Sequence, residues 1–216
     1  MADGAIIFDV DGVLLELTAE EEDAFFVPFQ RRYGLQGLSR DWDSYKIRND
    51  EKIVAEILDR HGLPAGEAEA IARDYLDVLA ATTRPVEIPG ARDLLTALDG
   101  FRLGIATANF RRAAEQRLTA LDLWEPVSAL AFGAEGSGHK RETVAKAIAA
   151  SRLPKDRIVY IGDNLNDVEA GLSNGVHFIG FALDPARRER LGKAGARHLS
   201  GNHLETLRLV RSSLAF

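Results

Sequence analysis

Residues 5–13 read Ala-Ile-Ile-Phe-Asp-Val-Asp-Gly-Val, a short apolar run that ends on two acids. Four consecutive apolar residues, Ala5 to Phe8, have the length of a strand covered on both faces and are too few for a helix. The run stops on Asp9, and Asp11 follows two positions later. Residues i and i+2 of an extended segment point to the same side, so both carboxylates face one site at the strand's end.

Past residue 89 similar apolar runs recur, separated by segments of helical spacing. Strands are predicted at 101–106, 128–132, 157–161 and 176–180, with a weaker one at 196–199. Helices are predicted at 90–98, 111–121, 141–151, 168–173, 185–193 and 203–213. Such alternation predicts an α/β core: a doubly wound, mostly parallel sheet with helices on both faces. Between 16 and 85 no strand is predicted. A helix over 18–33 opens on a capping box, Thr18 with Glu21, and Pro28 should kink it. Ile53, Val54, Ile57 and Leu58 keep helical spacing over 49–61, and Ala70, Ile71, Tyr75, Val78 and Leu79 do so over 66–82. The expected organisation is a core of 1–15 and 86–216 with an inserted helical bundle at 16–85.

Composition narrows the function classes. With 216 residues, 46% of them hydrophobic and 28% charged, the chain is neither collagenous nor largely disordered. Lys plus Arg is 27 against 33 Asp plus Glu, a formal charge of −6, which speaks against nucleic acid as a partner. There is no cysteine, hence no disulfide framework and no thiolate chemistry. The first residues show no signal-peptide pattern, and no apolar window is long enough for a membrane span. A cytoplasmic protein, monomer or homodimer, with no membrane partner is expected.

Open α/β sheets bind ligands at the carboxyl ends of their strands, so the residues just past each apolar run matter most. Asp9 and Asp11 come after the first, Thr107 after Arg102–Ala106, and Gly133–Gly138 leads from the next to His139 and Lys140. Past the run that ends at Ile161 stand Gly162, Asp163, Asn164, Asn166 and Asp167. Carboxylates crowded on one rim repel, by roughly 4 kcal/mol per pair about 4 Å apart at an effective dielectric near 20. A hard cation relieves that conflict, and Mg²⁺ favours one or two carboxylates together with phosphate oxygens and water. Thr107 and Lys140 add a hydroxyl donor and a positive point charge for the same oxygens. The set suits phosphoryl transfer.

In their order, DVDGV (9–13), the threonine closing LGIAT (103–107), Lys140 and GDNLND (162–167) resemble the four motifs of the haloacid dehalogenase superfamily of phosphohydrolases. The resemblance spans almost the whole chain. The helical insert is similar to that family's cap, and IPGARDLLTAL (88–98) to the helix before its second motif. The pattern is nearest the phosphoglycolate phosphatase-like branch, although Glu16 and Leu17 depart from that branch's usual DGTLxDS. The resemblance implies a Rossmann-like core and a Mg²⁺-dependent phosphatase acting through an aspartyl-phosphate. Asp9 would be the nucleophile, and Asp11 the acid for the leaving oxygen and then the base for water. Thr107, with the amides near Ala108 and Asn109, would hold the transferring oxygens, and Lys140 would neutralise charge there. Asp163 would bind Mg²⁺ with Asp9 and the backbone carbonyl of Asp11, and Asp167 would support the metal site from behind those ligands or through water. Dehalogenase members lack the second acid of the first motif and work without Mg²⁺, so dehalogenation is set aside.

Plainer assignments exist for most of these residues. Asp11-Gly12 is a common turn dipeptide, and Asn164 to Asp167 suit a helix N-cap. Arg48 either pairs with an anionic group of the substrate or lies in solvent beside an Asn49 or Asp50 cap. His139 is as often solvent-facing as functional in such a loop and is left unassigned. Lys155 is a rival to Lys140 set aside because it follows Pro154 in a polar turn, and Arg117 is read as part of a solvated helix face. Two other functions use the same chemistry: a β-phosphoglucomutase-like sugar-phosphate mutase, and a receiver-type phosphorylation switch. The switch would need no helical insert and would carry its acid after a later strand.

Overall fold

Ala5–Phe8 forms β1, near the centre of a six-stranded sheet, in a computed structural model that describes residues 4–214. The chain then runs β2 (Leu15–Glu16), α1 (Ala19–Tyr33), α2 (Asp50–Arg60), α3 (Ala68–Thr82) and β3 (Val86–Glu87). It continues with α4 (Ala91–Ala97), β4 (Arg102–Ala106), α5 (Arg111–Thr119), β5 (Ala131–Phe132) and α6 (Lys140–Ser151). Last come β6 (Ile158–Gly162), α7 (Leu165–Asn174), β7 (His177–Phe181), α8 (Pro185–Lys193), β8 (His198–Ser200) and α9 (His203–Leu214).

The sheet order is β5-β4-β1-β6-β7-β8, and every neighbouring pair is parallel. This is the doubly wound, Rossmann-like α/β core that the alternation predicted. Its interior shows why the runs were continuous: Ile6 and Phe8 face one apolar layer, while Ala5 and Ile7 face the other. On β6, Val159 and Ile161 join the first layer and Ile158 and Tyr160 the second. A strand buried on both faces has no polar side to show. The strand order reverses about β1, and at such a switch point the flanking loops part to leave a crevice.

Local expectations shift in three places. The strand predicted over 128–132 shrinks to Ala131–Phe132, because Glu125–Leu130 winds into a 3-10 turn with Pro126 in its first positions. Proline presets the helical φ and removes a strand donor. That turn lies on β4 at Gly104, where a Cβ would sit 2.4 Å from the Leu130 Cβ. Helix α7 starts three residues earlier than its apolar spacing suggests, since Asn164 and Asp167 build a capping box. Helix α1 continues through Pro28 to a left-handed Gly34, at the cost of one backbone bond inside the helix.

Helices α1 to α3 share their own apolar cluster, with Phe25, Phe29, Ile53, Ile57, Ile71 and Leu79 buried. Each such side chain contributes roughly 1.5–3 kcal/mol on burial. Phe110 and Ala113 from the α5 end of the core enter the same cluster, so the helical insert is docked on the core. Strands β2 and β3 pair antiparallel where the chain leaves and re-enters the core. That two-stranded ribbon holds the insert over the carboxyl end of β1. Among the described residues no helix is long and apolar enough to cross a membrane.

Candidate active site

Sheet register brings the motif residues together. Phe8 lies opposite Ile105 on one side and Ile161 on the other, so Asp9, Thr107 and Asp163 all emerge at the same edge. The Asp9 amide donates to the Ile161 carbonyl at 2.8 Å, carrying the pairing one residue beyond β1. Gly12 turns the chain there with φ +75°, and a Cβ on it would sit 1.9 Å from Asp163 Oδ2. Only glycine meets both conditions. Lys140 arrives from the first turn of α6.

These groups are buried and in contact. Lys140 Nζ is 2.6 Å from Asp9 Oδ1 and 3.2 Å from Asp167 Oδ1. Asp167 has no spare oxygen: Oδ1 also accepts from the Tyr160 hydroxyl at 2.6 Å, and Oδ2 accepts from the amides of Asp163 and Asn164. Arg187, from α8, pairs with Asp163 Oδ2 at 2.5 Å and donates through Nε to the Asp163 carbonyl at 2.9 Å. The Thr107 hydroxyl faces Asn109, donating to its Oδ1 at 3.0 Å and accepting from its amide at 3.1 Å.

Burial pushes Asp9 well above the usual carboxylate range; Lys140 opposes this, and Asp167 and Asp163 reinforce it. Burial and Asp167 likewise push Asp163 up to about 7, against Arg187 and Lys140. Burial works to lower Lys140, yet Asp167 and Asp9 hold it above its ordinary value. An acid cluster that resists ionisation by itself is one whose charge a bound cation would relieve. Asp9, Asp163 and Asp167 each place a carboxylate oxygen within 4.8 Å of the others. Since Asp167 is fully hydrogen-bonded, Asp9 and Asp163 are the acids with oxygen to offer. A hard cation such as Mg²⁺ fits this all-oxygen set.

The cavity above them measures about 430 Å³ and is roofed by the insert, with Phe25, Trp42, Arg48 and Tyr75 in its wall. Three consecutive residues pin the start of α2 to the core. Asn49 Nδ2 donates to the Ala134 carbonyl at 3.2 Å. The Asp50 amide donates to the Ala108 carbonyl at 2.9 Å, and its Oδ2 accepts from the Phe110 amide at 2.8 Å. Glu51 Oε2 accepts from the Gly136 amide at 2.7 Å. Ala108 thus meets the insert through its carbonyl. Arg48 is at the cavity wall and pairs with Asp43 at 3.3 Å.

Sequence spacing gave no place in the site to Asp50, Arg187, Tyr160 or Arg117. Arg117 corrects an expectation outright: it is 3% exposed, not part of a solvated face. Its Nη1 lies 2.7 Å from Asp11 Oδ1 and its Nε 2.8 Å from Glu21 Oε1. A signal was present, since Arg117 stands four residues after Ala113 and so shares its buried face.

Asp50 makes a pH prediction. Burial drives its carboxyl up to about 7, only partly offset by the Phe110 amide. An unfolded aspartate titrates near ~3.9. Between these values the unfolded chain has lost a proton that the native chain keeps, so stability falls as pH rises through that window. Asp50→Asn keeps an acceptor for Phe110 and removes the titration. Its stability advantage is expected to grow from about pH 4 to about pH 7 and then level off, at about 2–4 kcal/mol. Urea unfolding of both chains across that range measures it; a constant offset would contradict the buried, protonated Asp50.

Comparison with known proteins agrees with the geometry. A family model for haloacid dehalogenase-like hydrolases matches residues 4–175. The N-acetylmuramic acid 6-phosphate phosphatase of Pseudomonas aeruginosa is 26% identical over 179 residues, covering 79% of this chain and 78% of the relative. Pyrophosphatase PpaX of Anoxybacillus flavithermus is 23% identical over 197 residues, 86% of each chain. The fold matches the crystal structure of CbbY from Rhodobacter sphaeroides in complex with phosphate, with a TM-score of 0.75 and 23% identity over 94% of this chain and 95% of that one.

Proposed function

The chain belongs to the haloacid dehalogenase-like hydrolase family, and from that premise we propose that it is a Mg²⁺-dependent phosphatase of a small phosphorylated metabolite. One observation carries this proposal: a buried lysine 2.6 Å from a buried aspartate, Asp9, that follows the central strand and lines a pocket of about 430 Å³. The phosphatases among the relatives support it, and a cavity of about 430 Å³ suits a metabolite-sized ester.

Asp9 attacks phosphorus through its carboxylate oxygen, and the bond to the leaving oxygen breaks. Asp11 donates a proton to that oxygen and then takes one from the attacking water. The second displacement breaks the bond between phosphorus and Asp9, frees phosphate and restores the carboxylate. Lys140 favours the ionised form of Asp9 against burial and the neighbouring acids, and offsets charge on the phosphoryl oxygens. The Thr107 hydroxyl, the Ala108 amide and Asn109 bind those oxygens. Asp9 and Asp163 would hold Mg²⁺ together with the Asp11 carbonyl, and Asp167 keeps Lys140 and the Asp163 backbone in place. Bound Mg²⁺ would screen the anionic nucleophile from the anionic ester. Arg48 sits where it can meet an anionic group on the leaving portion, in exchange for Asp43.

Phosphate release from a panel of phosphomonoesters, with Mg²⁺ and with EDTA, tests this. EDTA is expected to lower the rate by at least about 10²-fold and added Mg²⁺ to restore it. Sugar 1-phosphates in the panel are expected to yield free phosphate. An isomerised sugar phosphate as the main product would replace the phosphatase by a mutase, and EDTA-resistant hydrolysis would remove the metal.

A further inference from the structure

Arg117 is a buried charge that the proposed reaction leaves unused. Its guanidinium donates to Glu21 and the Glu16 carbonyl and ion-pairs with Asp11, three groups from separate parts of the chain. Nε and Nη2 grip both oxygens of Glu21, at 2.8 and 2.9 Å. Nη2 also donates to the Glu16 carbonyl at 3.1 Å, and Nη1 reaches Asp11 Oδ1 at 2.7 Å. A two-point grip between a planar guanidinium and a carboxylate fixes the plane of both groups. With that plane fixed by Glu21, the place of Nη1 is fixed as well, and it forms a charge contact at 2.7 Å with Asp11 Oδ1, a buried oxygen with no hydrogen-bond donor among the described residues. Glu21 is in turn held by the capping box of α1, in which the Thr18 amide donates to Glu21 Oε2 at 3.1 Å.

We propose that Arg117, aimed by Glu21, is a positioning residue that orients the Asp11 carboxylate and makes that orientation depend on helix α1 being docked. This rests on the assignment of Asp11 as proton donor and acceptor. The pair engages Oδ1 of Asp11, so Oδ2 is the oxygen presented to the substrate. Arg117 belongs to the core, Glu21 to the insert and Glu16 to the ribbon between them. A displaced α1 takes Glu21 away and frees the guanidinium to rotate off Asp11. A proton donor held at the correct angle is then a property of the closed pocket.

Two esters with different needs separate positioning from general structural support. 4-Nitrophenolate departs without a proton, whereas the alkoxide of glycerol 2-phosphate needs one from Asp11. Because kcat/KM reports events up to release of the alcohol, it isolates the proton-donating step. Arg117→Lys keeps the charge and loses the fork. It is expected to lower kcat/KM on glycerol 2-phosphate by about 10-fold or more and on 4-nitrophenyl phosphate by less than about threefold. Arg117→Met combined with Glu21→Gln removes both charges of the buried Arg117–Glu21 pair and keeps a residue able to complete the capping box. It is expected to show the same selectivity, with a loss of about 10²-fold on the alkyl ester. Equal losses on both esters, or none on either, would overturn the proposal. Amide hydrogen exchange over residues 18–22, measured without substrate, is expected to quicken in Glu21→Gln. Unchanged exchange would remove the link to α1 whatever the activity, and a wild-type chain inactive on both esters would instead refute the phosphatase.

Discussion

Asp9→Asn is expected to abolish phosphate release while leaving the chain folded. The carboxamide fills the same volume at the end of β1, and its oxygen can still accept from the Val10 amide as Asp9 Oδ1 does at 2.7 Å. What disappears is the oxygen nucleophile. Loss of a covalent nucleophile removes a whole reaction path, so turnover should fall by at least about 10⁴-fold. The stability effect has the opposite sense. Burial and two neighbouring acids oppose ionisation of Asp9, and only Lys140 supports it. Neutralising the position lowers the formal charge of the acid cluster by one, and Lys140 keeps Asp167 as partner at 3.2 Å. In EDTA the variant should therefore unfold at the same temperature as the wild type or a higher one. Residual activity above about 1% would mean that another group attacks phosphorus.

Lys140→Met should do the reverse and damage stability as well as rate. The methionine stem replaces most of the buried methylene chain, so the change reads the ammonium. Without it, Asp9, Asp163 and Asp167 remain buried within 4.8 Å of one another with no lysine between them. Breaking a buried ion pair by removing one partner costs about 3–5 kcal/mol, because the other charge stays behind. Urea unfolding in EDTA should show a loss of that size. Mg²⁺ should return part of it, since a ligand at about 100 times its dissociation constant contributes about 2.7 kcal/mol. Adding Asp9→Asn to Lys140→Met should also restore stability by removing one stranded acid. The rate on any accepted ester should fall by about 10²–10³-fold, the size found for loss of one charge-stabilising donor. A Lys140→Met chain as stable as wild type in EDTA would show that the ammonium does not hold the acids together.

The two substitutions differ because Asp9 and Lys140 stand on opposite sides of the same imbalance. An excess of buried negative charge makes removal of an acid mild and removal of the base severe. That imbalance was legible before any coordinates, in four acids placed after two apolar runs. Its balance was not. Arg187 reaches Asp163 from α8, and Tyr160 reaches Asp167 from inside β6. Neither belongs to a motif, and Tyr160 reads along the chain as one more apolar residue of a buried strand.

Other parts divide in the same way. The capping boxes at Thr18 and Asn164 depend on residues three apart, and Thr18 announced itself. The 3-10 turn at Glu125–Leu130 had a local sign in Pro126 that the apolar run after it masked. Arg48 was visible as a charge at the head of a helix, but its partner Asp43 was not.

The sequence by itself determined that strands alternate with helices, that a helical segment enters after the first strand, and that acids, a threonine and a lysine lie just past strand ends. Each of these is written in spacings of two to four residues, where backbone geometry dictates which side chains share a face. Only the tertiary structure decided which charges are buried together. Arg117 and Glu21 are 96 positions apart, and each looks along its own helix like an ordinary charged residue. Their burial follows from how the helical insert docks on the α5 end of the core, where Phe110 and Ala113 enter its apolar cluster. Docking is set by the packing of whole apolar faces, so the spacing that puts Arg117 on the face of Ala113 does not reveal which carboxylates it meets there.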